Sequence, residues 1–395
     1  MSDLLELRVG PVAHGGHCVA RYDNRVVFVR HALPGELVRA RITEERRSYL
    51  RADAVEVLEP SPDRVEPPCP YAGPGRCGGC DFQHVTAAAQ LRLKTDVVRE
   101  QLVRLGGLAE SDVTGVEVEP LPGGPLGWRT RVQYAVDASG RVGLRRYRSH
   151  DVLPVDRCLI AAPQIQAAPV TGELWPGRRS VEVVAGAEVT VFTERRRGGG
   201  EGIRVVAGPT KVTEHAVGRD WRIRPEAFWQ VHPLAADTFA ATVLDLLEPK
   251  PGEWAWDLYG GAGLFAAAVA DRVGPSGRVT LVESDPRPDP AGNLADLPQV
   301  KVIRGRVEEV LGRRGLRNTN LVVLDPPRAG AGATVVAGIA AATPRAVAYV
   351  ACDPAALARD VKTFRGLGWR LARVRAFDAF PMTHHVETIA LLTPS

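Results

Sequence analysis

The sequence predicts an α/β protein in three parts: an oligonucleotide-binding (OB)-like N-terminal β-barrel, a mostly β central region, and a Rossmann-like doubly wound domain. Three observations carry this. Residues 3–58 break into five short alternating strands separated by turn residues such as Gly15-Gly16, Asp23-Asn24 and Pro34-Gly35. Several β-rich pieces then run to Trp221, interrupted by one helical segment. From Pro225 onward helix and strand patterns alternate, the mark of a parallel sheet with helices on both faces. The expected divisions are 1–60, 61–225 and 226–395.

With 395 residues, 45% hydrophobic, 24% charged and a net charge of +4, the chain is an ordinary globular protein. That charge is too small to establish a nucleic-acid partner. No apolar run reaches membrane-spanning length, and Met1 to Glu6 lacks the basic and apolar pattern of a secretory signal, so a cytoplasmic enzyme is expected.

After the proline-rich linker Pro60 to Pro68 come Cys69 and Cys77-Gly78-Gly79-Cys80, with a fourth thiol at Cys158. Four thiolates hold zinc or an iron–sulfur cluster, and a C-x-x-C pair also serves redox chemistry; spacing alone leaves all three open. His84 to Leu105 reads as an amphipathic helix with Ala88, Leu91, Val98, Leu102 and Leu105 on its apolar face, a face that suits packing on the C-terminal domain. Arg145-Arg146-Tyr147-Arg148 mixes cations with an aromatic ring as RNA-binding surfaces do, whereas Arg195-Arg196-Arg197 before three glycines reads as a solvated loop tip.

Trp254 to Leu258 is the first strand of the C-terminal sheet. The turn Tyr259-Gly260-Gly261-Ala262-Gly263 follows it and opens a helix over Leu264 to Val273. A glycine turn at this place lets a ligand approach the backbone. Val279 to Val282 forms the second strand, and Glu283 at its end suits two ribose hydroxyls. The pattern also fits a nicotinamide dinucleotide fingerprint, the oxidoreductase alternative. Asp257-Leu258-Tyr259 and the later Asp325-Pro326-Pro327 favour S-adenosylmethionine (SAM) instead.

Ala346 to Ala351 is a buried strand ending at Cys352, and Asp353-Pro354 supplies an N-cap and a first helical residue. A thiol just ahead of a helix N-terminus is expected to have a lowered pKa and to act as a nucleophile, although Asp353 opposes this; a buried structural cysteine is the alternative.

Together these motifs resemble the bacterial class I RNA 5-methyluridine (m5U) methyltransferases over nearly the whole chain. Val9-Gly10-Pro11 and Arg30 to Glu36 resemble a TRAM domain, an RNA-binding barrel. Tyr349 to Asp360 looks like the family's nucleophile motif, and His384 to Thr388 like its base motif. The resemblance implies Cys352 as nucleophile and Glu387 as base. It implies SAM contacts from Gln230, Tyr259, Gly261, Glu283 and Asp325, and substrate contacts from Phe228 and Asp325. Cys69, Cys77, Cys80 and Cys158 would hold a four-iron, four-sulfur ([4Fe-4S]) cluster. The implied partner is RNA, with 23S ribosomal RNA favoured over transfer RNA, and the expected protein is a monomer independent of membranes. Arg328 after Pro327 disfavours the related 5-methylcytidine enzymes, which carry a cysteine there. Asp353 and His232 stand where the family usually has Asn, Gly260 where it often has Cys, and Arg306 where a polar or acidic contact is usual.

Overall fold

A computed structural model describes residues 4–195, 202–312 and 319–395. Of the expected Arg195-Arg196-Arg197 loop tip, Arg196 and Arg197 lie outside the described residues. Among the described residues no helix is long and apolar enough to cross a membrane.

The N-terminal part has one strand more than expected. Its six strands pair in the order Leu4–Arg8, Leu37–Glu45, Tyr49–Glu59, Arg25–Arg30, His17–Tyr22, Val12–Ala13. The first and last of these are nearly continuous in sequence, bent at Gly10-Pro11. Gly10 donates to the Val19 carbonyl (2.7 Å) and Val19 to that of Pro11 (2.9 Å), which closes the barrel. Gly10 is required there, because a Cβ would stand 2.9 Å from the Val19 oxygen. Leu5, Leu7, Val27, Val29, Val38 and Leu50 fill the interior.

The central region is an antiparallel sheet of six strands, with Arg131–Val136 and Arg178–Ala185 in the middle, followed by a hairpin of Val212–Ala216 and Arg219–Ile223.

The C-terminal sheet has eight strands in the order Val300–Arg304, Arg278–Glu283, Trp254–Leu258, Leu321–Leu324, Ala346–Ala351, Glu387–Pro394, Trp369–Asp378, Val118–Pro120. All neighbours are parallel except Glu387–Pro394, which is antiparallel to both sides. Chain order reverses beside Trp254–Leu258, which makes its carboxyl end a topological switch point, where ligands bind in such sheets. The run between Glu283 and Asn293 yields only the short helix Pro290–Asn293. The edge strand Val118–Pro120 comes from the middle of the chain, so the segment before it also serves this sheet.

The long helix starts later than its pattern suggested, at Ala87, and ends at Arg104. Its buried face is also turned. Gln90, Lys94 and Gln101 are buried, whereas Ala88 is exposed and Leu91 and Leu105 only half-buried. Hydrophobicity misread the face because Gln90 and Lys94 find partners inside. Lys94 Nζ lies 2.5 Å from Asp378 Oδ1, and the Gln90 side chain accepts from the Met382 amide at 2.9 Å. Val98 and Leu102 share an apolar cluster with Ala358, Ala376 and Val386 of the C-terminal domain.

Candidate active site

The switch point opens into a cavity of about 560 Å³. Phe228, Gln230, Tyr259, Gly261, Glu283, Asp325, Cys352 and Glu387, eight residues expected from the sequence, all line it. Tyr259, Gly261, Glu283, Asp325 and Cys352 end strands of the sheet or follow such ends, Glu387 opens the antiparallel strand beside them, and Phe228 and Gln230 come from the segment between the Arg219–Ile223 strand and the next helix.

On one side stands the glycine turn. Tyr259 and Gly261 adopt φ of 62° and 54°, a left-handed turn that swings the chain away from the strand. Glu283 holds this turn, accepting from the Gly261 amide (2.9 Å) with one oxygen and from the Asp285 amide (2.6 Å) with the other. Behind it Asp257 is buried, accepting from the Ala266 amide (2.8 Å) while its second oxygen has no partner. Burial, the backbone bond notwithstanding, pushes the Asp257 carboxyl up to about 7.

On the other side stand Cys352 and Glu387. Helix Pro354–Gly366 begins as expected, with Asp353 capping the Ala356 amide at 2.8 Å. The expected acidic thiol is a correction: Cys352 is pushed up to about 12. Burial leads, the Glu387 and Asp325 carboxylates add to it, and Arg328 only partly opposes them. These outweigh a helix end whose effect fades within a turn. Glu387 is 3% exposed, and one of its oxygens has no partner. Burial, with Asp325 beside it, raises its carboxyl well above the usual range, and burial brings Asp325 up to about 7. Phe228 is 66% exposed at the rim, unusual for a large aromatic, whereas Gln230 is buried at 8%.

Sequence reasoning missed how the loop before Glu387 is held. Arg328 lies 2.7 Å from His385 Nδ1. His384 Nδ1 lies 2.6 Å from Asp81, which Arg30 of the barrel approaches at 3.2 Å. Asp81 follows Cys80 directly in a segment remote from the catalytic motifs, and no sequence pattern links them. His14 of the barrel also reaches the site, 3.2 Å from Asp353. That contact and burial act oppositely on Asp353, and its carboxyl ends at about 2. His232 is buried and stacked on Trp128 at 6.1 Å.

The four expected ligand cysteines, none of them in a disulfide, line a second, small cavity of about 40 Å³ with Arg129 and Arg157 at its wall. Amide groups of Gly79 and Gln83 point at Cys77 and Cys80 sulfurs, both at 3.4 Å. Burial raises the thiols of Cys77, Cys80 and Cys158. Among the described residues no three His, Cys, Asp or Glu side chains converge as a single-ion site.

Residues 4–55 match the TRAM domain model, and residues 314–394 match that of tRNA (Uracil-5-)-methyltransferase. An uncharacterized RNA methyltransferase of Streptomyces avermitilis is 49% identical, over 100% of this chain and 99% of its own. The 23S rRNA (uracil(1939)-C(5))-methyltransferase RlmD of Alkalilimnicola ehrlichii is 33% identical, over 98% of this chain and 96% of its own. The chain belongs to the RNA uracil-C5-methyltransferase family. Among solved structures, the tRNA (uracil-54, C5)-methyltransferase of Pyrococcus abyssi, in complex with S-adenosyl-L-homocysteine, matches with a TM-score of 0.73 at 21% identity, over 98% of this chain and 99% of that one. This uracil-C5-methyltransferase fold therefore extends from the barrel to the last strand. Membership replaces the nicotinamide oxidoreductase alternative.

Proposed function

We propose that the protein methylates C5 of a specific uridine in structured RNA with SAM as methyl donor, and that 23S ribosomal RNA is the favoured substrate. The single observation that carries this reading is the one cavity joining Cys352, Glu387 and Asp325 to the glycine turn and Gln230. Its lining is rich in carboxylates, Glu283, Asp285, Asp325 and Glu387, against the one cation Arg328.

When bound, SAM supplies an electrophilic methyl group, held by Gln230, Tyr259, Gly261, Glu283 and Asp325. Uracil C5 is a poor nucleophile by itself. The Cys352 thiol gives its proton to water, and the thiolate forms a C–S bond to C6, which pushes the ring electrons toward C5. After C5 has gained its methyl group, Glu387 takes the C5 proton; the electron pair re-forms the C5–C6 double bond and expels the Cys352 thiolate. Burial raises the Glu387 carboxyl above its usual range, and it is the ionised form that accepts the C5 proton. The target base has to leave its stack to reach Cys352, and Phe228 at the rim offers a face for it. Asp325 contributes a contact to the uracil edge or the cofactor.

For the four cysteines the reading is a [4Fe-4S] cluster held by Cys69, Cys77, Cys80 and Cys158. The donor set fits: four unpaired thiols, N–H groups aimed at two sulfurs, and arginines beside a site that becomes anionic. The reading includes a monomer acting in the cytoplasm.

The test is incubation of unmodified 23S ribosomal RNA and transfer RNA transcripts with protein and SAM, then nucleoside mass spectrometry. We expect 5-methyluridine in the ribosomal transcript. The modified base in transfer RNA alone would redirect the substrate, and its absence from both would overturn the reading.

A further inference from the structure

The turn Arg146-Tyr147-Arg148-Ser149 contributes no residue to the lining of the methyl-transfer cavity, and it is strained. The Ser149 amide donates to the Arg146 carbonyl at 3.2 Å, and Arg148 sits in the third place with φ of 50°. Glycine or asparagine is usual at such a position, and a β-carbon there costs about 1 to 2 kcal/mol. Packing does not explain the residue, since the Arg148 side chain is 52% exposed. The turn is nonetheless fixed from two sides. Tyr147 lies 3.1 Å from His17 Nε2 through its hydroxyl and carries the Arg30 guanidinium 3.4 Å above its ring, so the ring is covered rather than offered for stacking. The cysteine turn presses on it from below: Gly78 donates to the Arg145 carbonyl at 3.0 Å, and a Cβ on Gly78 would come within 2.7 Å of the Tyr147 Cα.

Charge around this turn is unbalanced. The one carboxylate of Glu44 serves three guanidiniums: Arg46 at 2.7 Å, Arg51 at 3.3 Å and Arg148 at 3.3 Å. Beside them runs a groove of about 430 Å³, floored by Gly78-Gly79 and lined by Arg145, Arg146, Arg148 and Arg179. The single carboxylate lining it, Glu194, lies 3.2 Å from Arg179. Arg145 is exposed and has no side-chain partner among the described residues. Guanidinium forks in excess, on a rigid strained turn, match phosphate oxygens. The strip crosses from barrel to central sheet, which suits a chain of phosphates better than one small anion.

We propose that Arg145 and Arg148, with Arg46 of the barrel, clamp successive backbone phosphates of the substrate RNA outside the methyl-transfer cavity. The proposal rests on the reading of the substrate as RNA. The variants Arg145→Gln/Arg148→Gln and Arg148→Gly test it, with affinity for unmodified 23S ribosomal and transfer RNA transcripts measured across a salt series. Losing two phosphate contacts should weaken binding about tenfold and flatten the plot of log K against log salt by about 1.4, at roughly 0.7 per contact for single strands. SAM binding should stay at the wild-type level. Arg148→Gly should melt no lower than wild type, because glycine relieves the turn, while still binding RNA more weakly. Variants that keep the wild-type affinity and slope, while the wild type binds and methylates RNA, overturn the clamp alone. Loss of RNA binding that appears only together with a lower melting temperature or lost SAM binding also overturns it. A wild-type protein that binds neither transcript overturns both the clamp and the reading beneath it.

Discussion

Cys352 and Glu387 stand opposite one another at the open end of two antiparallel strands. Ala351 pairs with Thr388, whose hydroxyl donates to the Ala351 carbonyl at 2.9 Å, and the next residue outward on each strand is the thiol or the carboxylate. Directly opposed residues project to the same face of a sheet, and both side chains line one cavity. Strand register thus brings together two groups far apart in sequence. The first prediction follows from this pair. Glu387→Gln keeps the volume of the buried side chain but cannot take a proton. Turnover should fall by roughly 10²- to 10⁴-fold, and a protein–RNA adduct should accumulate on denaturing gels. Cys352→Ala should give neither product nor adduct. Normal turnover by Glu387→Gln would remove it as the base.

The buried carboxyl of Asp257 sets a pH signature. Its folded pKa of about 7 lies above the ordinary 3.8, so its contribution to stability is fully present below pH 4 and lost as pH rises toward 7. Buried histidines with lowered pKa, such as His17, His84 and His232, act in the opposite sense, so the difference between variant and wild type is the readout. Asp257→Asn should become progressively more favourable relative to wild type from pH 4 to 7. The upper bound is about 4 kcal/mol, at roughly 1.4 kcal/mol per unit. Urea melts of the ligand-free protein at several pH values check this; a flat difference would contradict it.

His14 and Asp353 connect the barrel to the nucleophile loop. Asparagine caps a helix as well as aspartate does, so Asp353→Asn removes the carboxylate that His14 contacts and spares the cap. The pair is partly exposed and worth about 0.2 to 1 kcal/mol, so each of His14→Ala and Asp353→Asn should lower kcat by up to about fivefold. The double variant should be no worse than either single one. Fully additive losses would show that the two residues act separately.

Lys94 is 2% exposed and reaches Asp378 across the junction of long helix and catalytic sheet. Lys94→Met leaves the Asp378 carboxylate buried without its cation. Destabilisation of about 3 to 5 kcal/mol is expected from denaturant unfolding. A loss under about 1 kcal/mol would mean that water or another group compensates.

The cysteine set makes a prediction about content. Protein purified without oxygen should carry about four iron atoms with matching sulfide, and replacing Cys80 by Ser should abolish both. Stoichiometric zinc without sulfide would refute the cluster.

Much of this protein is written locally. Strands Trp254–Leu258, Leu321–Leu324 and Ala346–Ala351 and helix Leu264–Val273 fall where their residues place them, because each is an apolar run bounded by a turn or cap. The site residues were legible for the same reason: in a parallel sheet the strand ends carry the ligand-facing residues, so Glu283, Asp325 and Cys352 announce themselves by following apolar runs. Tertiary structure decided what depends on distant partners. Lys94 and Gln90 are buried because Asp378 and Met382 meet them there, which no helical periodicity encodes. The pKa of Cys352 is set by Glu387, Asp325 and the depth of the cavity more than by its own helix, so the local reading has the wrong sign. Hydrophobic pattern and turn chemistry act over a few residues and survive in sequence; desolvation and charge act through space, and only the assembled fold fixes those distances.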